Sequence, residues 1–201
     1  HPDWTPAEVQ SALEMTAKDI VKGNDNGTGT LYPVGIYRAG NGQADAQAAV
    51  NAGLVMDETA DNFAIANPDN GGDVLQLNLP QLVNTFCQGV CSWVRTVRAT
   101  RDGTWTASNA PFVFERFQNL TYTEQRAKLA VTPSQFTLKA GQTQTLLVTA
   151  DMTDVLYQQG GDGSRTTEQV ELWSKLSFTP SDPAIPVANW PISLNFDHGM
   201  L

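Results

Sequence analysis

The segment VTPSQFTLKAGQTQTLLVTAD, residues 131–151, decides the fold of this chain. Its extended runs are rich in Val, Leu, Phe and Thr, the residue types that fit a pleated, half-buried surface. Pro133 ends one run, and Ala140 with Gly141 forms the turn into the next. The segment therefore predicts short strands joined by tight turns. The predicted strands are 127–132, 135–138 and 143–150.

Comparable runs occur on both sides of this segment. In the run at 91–99, the alternate residues Trp93, Arg95, Val97 and Ala99 share one face. Many short strands at regular spacing are typical of an antiparallel β-sandwich, so we predict a mainly β fold. The further predicted strands are 74–79, 91–99, 103–108, 111–118 (with NLTYT as an alternative extension), 170–179 and 188–196.

The chain begins differently, with the helical pattern HPDWTPAEVQSALEMTAKDIV at residues 1–21. Thr5 is a good N-cap, Pro6 fits the first helical position, and Glu8 completes a capping box. We therefore predict a helix over about 6–21. Its predicted apolar face consists of Val9, Ala12, Leu13, Thr16 and Ile20.

Charge and hydropathy exclude two classes of partner. The 201 residues include 12 basic and 21 acidic side chains, a formal net charge of −9. Nucleic-acid binding requires a basic face, so we expect no nucleic-acid partner. The sequence contains no run of eighteen apolar residues, so we also expect no membrane span.

Cys87 and Cys91 are the only cysteines and flank a turn at Gln88-Gly89. This spacing allows a local disulfide, whose short loop would stabilise a hairpin corner more than the whole fold. A metal site would need more ligands, and neither histidine is near in sequence. We predict the Cys87–Cys91 disulfide, which fits an exported protein.

The N-terminal residues resemble the end of the catalytic domain in subtilisin-like serine proteases. The resemblance rests on the HPDWT lead-in, the helix that follows it, and the Gly40-x-Gly42 turn before an Ala-rich helix at 45–52. Two departures are Ala44, where relatives place Val or Ile, and the long insert KGNDNGTGTLYPVGIYR. The helix residues that match the family are Val9, Ser11, Leu13 and Thr16.

The rest of the chain resembles the fibronectin type III-like (immunoglobulin-like) sandwich that follows this catalytic domain in larger members of the family. The matching motifs are Leu-Asn-Leu-Pro at 77–80, Arg-Thr-Val at 95–97, and the run from Val131 to Gln144. The region between Trp105 and Leu129 is longer than the family pattern. Its role is not predicted.

The resemblance implies three parts: the C-terminal helical segment of a catalytic domain at 1–55, a polar connector at 56–73, and the sandwich at 74–201. It implies a non-catalytic C-terminal region of a secreted, extracellular subtilisin-like serine endopeptidase. The acidic, charge-poor composition, rich in Thr, Asn, Gln and Gly, is compatible with secreted bacterial proteins, so we expect a bacterial source. The expected roles are stabilising the protease or presenting protein substrates. The expected partner is the upstream catalytic domain of the same polypeptide.

We expect none of the serines, histidines and aspartates to form a Ser-His-Asp triad. We therefore predict no catalytic residues and no activity for this chain alone. His1 belongs to the helix lead-in, and His198 lies in the polar terminus DHGML. Neither a Gly-Thr-Ser-type nucleophile segment nor a Gly-x-Ser-x-Gly elbow is present.

Two binding alternatives remain open in the sequence. Asp25-Asn26-Gly27 and residues 69–73 resemble calcium loops, although such clusters are more often plain turns. We therefore predict no metal or other cofactor, with calcium as the alternative. The tryptophans favour a sandwich core, but they allow a carbohydrate- or cell-surface-binding module instead. The tryptophans concerned are Trp93, Trp105, Trp173 and Trp190.

The helix face raises a question of association. In an intact protease this face would pack inside the catalytic domain. In this chain, Val9, Leu13 and Ile20 need another partner, such as the sandwich, helix 45–52 or a second copy. Self-association through these three residues is therefore a further expectation.

Overall fold

A computed structural model of the protein describes residues 1–24, 29–87, 89–116, 120–155 and 170–196. The helices are α1 (Pro6–Met15), α2 (Ile36–Ala39), α3 (Ala46–Ala49) and α4 (Ala60–Ile65), with 3₁₀ turns at Pro68–Asn70 and Val74–Gln76. The first strands are β1 (Lys22–Asn24), β2 (Leu31–Pro33), β3 (Leu54–Val55), β4 (Leu82–Asn84), β5 (Val90–Ala99), β6 (Gly103–Asn109) and β7 (Phe112–Arg116). The remaining strands are β8 (Leu120–Glu124), β9 (Lys128–Thr132), β10 (Gln135–Leu138), β11 (Thr143–Asp151), β12 (Val170–Pro180) and β13 (Ala188–Phe196).

The strands form two large sheets and one small one. The first large sheet has the order β3-β5-β11-β9, and all its pairs are antiparallel. The second has the order β10-β6-β12-β13-β4, with β7 beside β12 and β8 beside β7. All its pairs are antiparallel except β13–β4, which is parallel. Strands β1 and β2 pair separately. The protein is therefore mainly β, as predicted.

The core lies between the two large sheets. Strands β5 and β11 bury alternate residues, which is the period of two expected of a sheet with one solvated face. The other large sheet contributes aromatic rings from β6, β10, β12 and β13. Trp105, Phe136, Phe178 and Trp190 form a chain of ring contacts with centroids 4.7–6.0 Å apart. The predicted inward face of β5 is confirmed: Trp93, Arg95, Val97 and Ala99 are all buried.

Most predicted strands are confirmed to within a few residues, including those in the opening segment. The run at 111–118 is strand β7, and NLTYT contributes a separate strand, β8, that turns back and pairs with β7. The predicted strand at 74–79 is wrong. Val74–Gln76 forms a 3₁₀ turn instead. The Asp73 side chain accepts a hydrogen bond from the Leu75 amide and so caps this turn. A capped turn and a regular strand are exclusive local alternatives.

The predicted N-terminal helix exists but is shorter than 6–21. It ends at Met15, where the Thr16 hydroxyl donates to the Ala12 carbonyl at 2.7 Å. Beyond it, Lys18 pairs with Gln43 in an isolated antiparallel bridge. The chain then leaves the helical path because its backbone groups are satisfied by that bridge. The predicted helix at 45–52 is likewise only the short α3.

The N-terminal residues are built into the sandwich core. Met15 belongs to the same buried cluster as Trp190, and β3 is an edge strand of the first sheet. Contacts therefore cross the boundary expected after residue 55. No helix in the described part of the chain is both long and apolar enough to cross a bilayer.

Candidate functional site: the junction between α1 and the sandwich

A complete capping box fixes the start of α1. Thr5 Oγ1 accepts from the Glu8 amide at 3.1 Å, and Glu8 Oε2 accepts from the Thr5 amide at 3.0 Å. Pro6 occupies the first helical turn, as predicted. The cap uses one carboxylate oxygen of Glu8 and leaves the other, Oε1, free to bind outside the helix.

Oε1 of Glu8 binds Arg98 on β5. The Arg98 Nε and Nη2 atoms both lie 2.6 Å from it. The Glu8 side chain is 5% exposed and that of Arg98 is 29% exposed. Burial raises the pKa of Glu8, but the hydrogen bonds from Arg98 and from the Thr5 amide outweigh burial and hold this pKa below its ordinary value. The result is a charged, mostly buried pair that joins the helix to the sheet.

Two further contacts hold the inner face of α1. Ser11 Oγ accepts from the Met56 amide at 2.8 Å, just after β3. One turn later, Met15 Sδ lies 3.0 Å from Nε1 of Trp190 on β13, and both side chains are buried. The helix therefore contacts both large sheets.

The buried face of α1 differs from the predicted one. Val9 is 43% exposed and Ile20, beyond the helix, is 56% exposed. Leu13 is half-buried and packs on a small cluster with α3 and β3. The inward stripe is instead Glu8, Ser11, Ala12 and Met15. Ala12 and Thr16 of the predicted face are buried as expected. The buried stripe nevertheless turns toward Glu8 and Ser11, because both have polar partners on the sandwich and leave no unsatisfied group when buried.

The chain after α3 passes directly over the aromatic core. A Cβ added to Gly53 would lie 2.4 Å from Cγ2 of Ile185 and 3.1 Å from Cζ2 of Trp105. Thr100 holds this segment, because its hydroxyl donates to the Ala52 carbonyl and its amide donates to the Gly53 carbonyl. The close approach requires glycine at this position.

Asn78 and Glu58 join the segment after β3 to β5. Asn78 Oδ1 accepts from the Thr96 amide at 2.7 Å, and Asn78 Nδ2 donates to the Thr96 carbonyl at 2.9 Å. The Asn78 amide donates to Glu58, which also accepts from the Thr59 amide and the Asn62 side chain. Burial raises the pKa of Glu58, but these hydrogen bonds outweigh it and the pKa is lowered.

Arg95 is a buried cation beneath this segment. It is 3% exposed and lies on the inward face of β5. Its guanidinium donates to the carbonyls of Leu75, Leu79 and Val94, each at 2.9 Å. Burial lowers the pKa of Arg95 to about 10, with Glu58 acting in the opposite direction, so the group stays charged at neutral pH. The Arg95 guanidinium thus donates hydrogen bonds to carbonyl groups that would otherwise need a neighbouring strand as their partner.

These contacts leave an open groove of about 880 Å³ along β5. Its lining includes Ser92 and Val94 of β5, and Asn62 and Leu75 of the segment that follows β3. Carboxylates predominate among the charged groups in its lining, which are Glu8, Asp57, Glu58, Asp73 and Arg98.

The predicted disulfide is present. Cys87 and Cys91 are bonded, with their Cα atoms 5.7 Å apart. Cys87 is buried, and its amide donates to the Asn195 carbonyl on β13. The bond therefore lies where the chain leaves the second sheet and enters β5 in the first. Gln88, in the predicted turn, lies outside the described residues.

The structure describes one of the two histidines and one of the two candidate calcium loops. The His1 ring stacks on Trp4 with centroids 3.9 Å apart, and its Nε2 lies 2.8 Å from the Val50 carbonyl. His198 and Asp25-Asn26-Gly27 lie outside the described residues. In the 69–73 loop, Asp73 caps a turn. Among the residues the structure describes, no three His, Cys, Asp or Glu side chains are grouped to hold a metal ion.

The four tryptophans do not form one platform. Trp93, Trp105 and Trp190 are buried in the core. Trp173 is half-buried and lines a second groove of about 390 Å³, next to Gly35 and Pro191.

Sequence reasoning missed Asn78, Arg98 and the groove. One signal was available: Arg95 occupies an inward position between Trp93 and Val97, and a buried cation requires acceptors nearby. The sequence does not show that these acceptors are the carbonyls of residues 75 and 79.

Comparison with known proteins shows similarity to subtilisin-like proteases. Subtilisin-like protease SBT4.8 of Arabidopsis thaliana is 29% identical over 76% of this chain and 18% of its own length. Subtilisin-like protease SBT4.13 of the same plant is 27% identical over 89% of this chain and 20% of its own. The chain thus spans about a fifth of the curated relatives it matches. No family model matches it. The expected bacterial source has no support from these relatives, since they are plant proteins.

Solved structures give a weaker likeness. The ASH / PapD-like domain of human CEP192 matches 60% of this chain and 84% of its own, at 12% identity and a TM-score of 0.40. The periplasmic chaperone SfaE matches 61% of this chain and 57% of its own, at 14% identity and a TM-score of 0.33. These scores do not identify the sandwich type.

Proposed function

We propose that this chain is the non-catalytic C-terminal region of a secreted subtilisin-like serine endopeptidase. Its fibronectin type III-like sandwich stabilises the last helical segment of the catalytic domain. The similarity to subtilisin-like proteases over most of the chain supports the first part. The observation that carries the second is the docking of α1, because the Glu8–Arg98 pair and the Met15–Trp190 contact tie the helix to both sheets.

The outer surface of α1 supports a position next to an upstream domain. Val9 on α1 and Val50 beside α3 are 43% and 54% exposed. Exposed apolar side chains on this side of the helical segment are available to a neighbouring domain. The inner face is occupied by the sandwich and the outer face is available, which suits a helix placed between two domains. Self-association of two copies through the predicted face is less well supported than this position, because Leu13 of that face is half-buried against α3.

The disulfide supports secretion. Disulfides persist in oxidising compartments and are rare in the cytosol. The Cys87–Cys91 bond lies where the chain passes from one large sheet to the other. Secretion and presentation of protein substrates are both parts of this proposal.

The test uses the complete natural polypeptide that contains this chain. We expect it to hydrolyse a casein substrate, whereas the 201-residue chain alone should not. Deleting residues 74–201 from the polypeptide should lower the melting temperature of the protease domain. Arg98→Met should lower it in the same direction but less. Peptidase activity in the isolated chain, or an unchanged melting temperature after deletion, would contradict the proposal.

A carbohydrate- or cell-surface-binding module is the second candidate. The half-buried Trp173 favours it, because its ring lines a groove with Pro191 and Asn41. A groove lined by an aromatic ring and a few polar groups suits a small ligand such as a sugar. Retention on insoluble polysaccharide that Trp173→Ala abolishes would favour this candidate over the first.

A further inference from the structure

One edge of strand β5 is only partly paired. On one side β5 pairs with β11 along its whole length. On the other side, β3 pairs only with Arg98 and Ala99. At Thr96 the side-chain amide of Asn78 replaces a neighbouring strand, accepting from the backbone amide and donating to the carbonyl. The edge from Thr96 back toward the start of β5 has no strand beside it in the described part of the chain.

The alternation of hydrogen bonds shows which groups face this open edge. The Ala99 amide bonds to Gln142, on the β11 side. In an antiparallel pair, residues two apart point their backbone groups the same way. The backbone groups of Trp93 therefore point toward β11, as those of Ala99 do. The backbone groups of Ser92 and Val94 point toward the opposite edge, as those of Thr96 do.

Except for the Val94 carbonyl, the edge groups of Ser92 and Val94 have no hydrogen-bond partner among the described residues, and they border the open groove. The Val94 carbonyl accepts from Arg95. Among the described residues, no backbone hydrogen bond reaches the Val94 amide or the amide and carbonyl of Ser92 from the open side. The Val94 side chain is 58% exposed, and both residues line the groove along β5. Exposed edges of this kind are templates for another strand.

The charge of the groove selects the kind of strand. Arg98 neutralises Glu8, and the buried Arg95 is close enough to Glu58 to interact with its charge. Asp57 and Asp73 are the other two carboxylates of the lining. The buried Arg95 lies behind the groove with its donors committed to carbonyls. A basic peptide would complement these carboxylates. A second copy of this chain carries a net charge of −9 and would present the same acidic groove, so repulsion disfavours it.

We propose that the open edge of β5 at Ser92 and Val94 binds an extended, lysine- or arginine-rich peptide, which adds to the first sheet as a short strand. The peptide backbone would pair with Ser92 and Val94, and its cations would face Asp57 and Asp73. This assignment goes beyond the proposed function. Its test uses this chain alone, so it can fail while the stabilising role stands.

The test measures fluorescence anisotropy of a labelled peptide of alternating lysine and valine. We expect saturable binding that weakens as salt is raised. Val94→Pro removes the edge amide and should weaken binding about tenfold, the loss expected for one well-placed hydrogen bond. Val94→Thr keeps that amide and should bind as the natural chain does. Asp73→Asn keeps an N-cap acceptor for Leu75 but removes a charge, and should weaken binding and reduce its salt dependence.

A second peptide keeps the test independent of the folding of the proline variant. The same sequence with alternate backbone nitrogens methylated retains every charge but cannot pair as a strand. We expect it to bind about tenfold more weakly to the unaltered chain. Equal affinity for the two peptides would overturn the proposal, as would equal binding of a glutamate-valine peptide or no binding. Light scattering that shows a dimer disrupted by Val94→Pro would assign the edge to a second copy and also overturn it.

Discussion

The interior between the two large sheets contains a row of aromatic rings, whereas the junction between α1 and β5 contains a carboxylate, a guanidinium and a serine hydroxyl. In the interior, Trp105, Phe178 and Trp190 are fully buried. Phe178 contacts Trp190 directly and is linked to Trp105 through the ring of Phe136. At the junction, Glu8 and Ser11 are equally well buried, but each is held by named hydrogen-bond partners. Apolar burial depends on the amount of area removed from water. Polar burial depends on every group finding a partner.

The difference predicts how each region fails. Removing an apolar ring leaves a cavity, and the whole sandwich loses stability. Removing one partner of the ion pair leaves a buried charge at the helix, and α1 loosens before the sheets do. The interior should therefore respond globally and the junction locally.

The largest effect is expected in the interior. Phe178 is 0% exposed and packs edge-on against Trp190 with centroids 4.7 Å apart. Phe178→Ala should lower the free energy of unfolding by about 3–5 kcal/mol, because the cavity adds to the lost transfer energy. Urea unfolding followed by tryptophan fluorescence measures it. Val94→Ala, at a 58% exposed position, is the matched control and should cost less than about 1 kcal/mol. Similar losses in both variants would contradict the position of the core.

The second effect is expected at the junction. Arg98→Met keeps the length of the side chain but leaves Glu8 buried without its cation. The loss in unfolding free energy should be about 2 kcal/mol, between the values for exposed and fully buried pairs. Hydrogen exchange should show faster exchange in α1 and little change in β11.

Arg101→Met provides the control for that substitution. Arg101 follows β5 and forms no ion pair with any described residue, so its loss should change the stability by less than about 0.5 kcal/mol. If Arg98→Met accelerated exchange equally in α1 and β11, the junction would not be a separate unit.

The sequence predicts the interior better than the junction, because apolar burial leaves a local pattern and a distant polar partner does not. Alternation in β5 and β11 reports burial directly, so these strands and their inward faces could be predicted. The capping box at Thr5 and Glu8 is local and could also be predicted. The partner of Glu8 lies 90 residues away, and no local pattern indicates it. The same holds for residues 74–79, whose apolar alternation predicts a strand while Asp73 and Arg95 hold a turn.

The smallest effect is a dependence of stability on pH that belongs to the junction and not to the interior. The folded-state pKa of Glu8 lies below its ordinary value of 4.5, because the bonds from Arg98 and Thr5 outweigh burial. Unfolded glutamate therefore takes up a proton first as the pH falls. The stabilisation from Glu8 is complete above about pH 4.5 and is lost as the pH falls toward the lowered pKa.

Glu8→Gln separates the two regions in one experiment. It removes this titration, so the stability gap between the variant and the natural chain should be widest above about pH 4.5 and should narrow in acid. Phe178→Ala touches no carboxylate, so its gap should stay constant across the same range. Urea midpoints at a series of pH values measure both. A gap for Glu8→Gln that did not change with pH would mean that the charge on Glu8 does not hold α1 to β5. The capping hydrogen bond, which glutamine keeps, would then be the contact that matters.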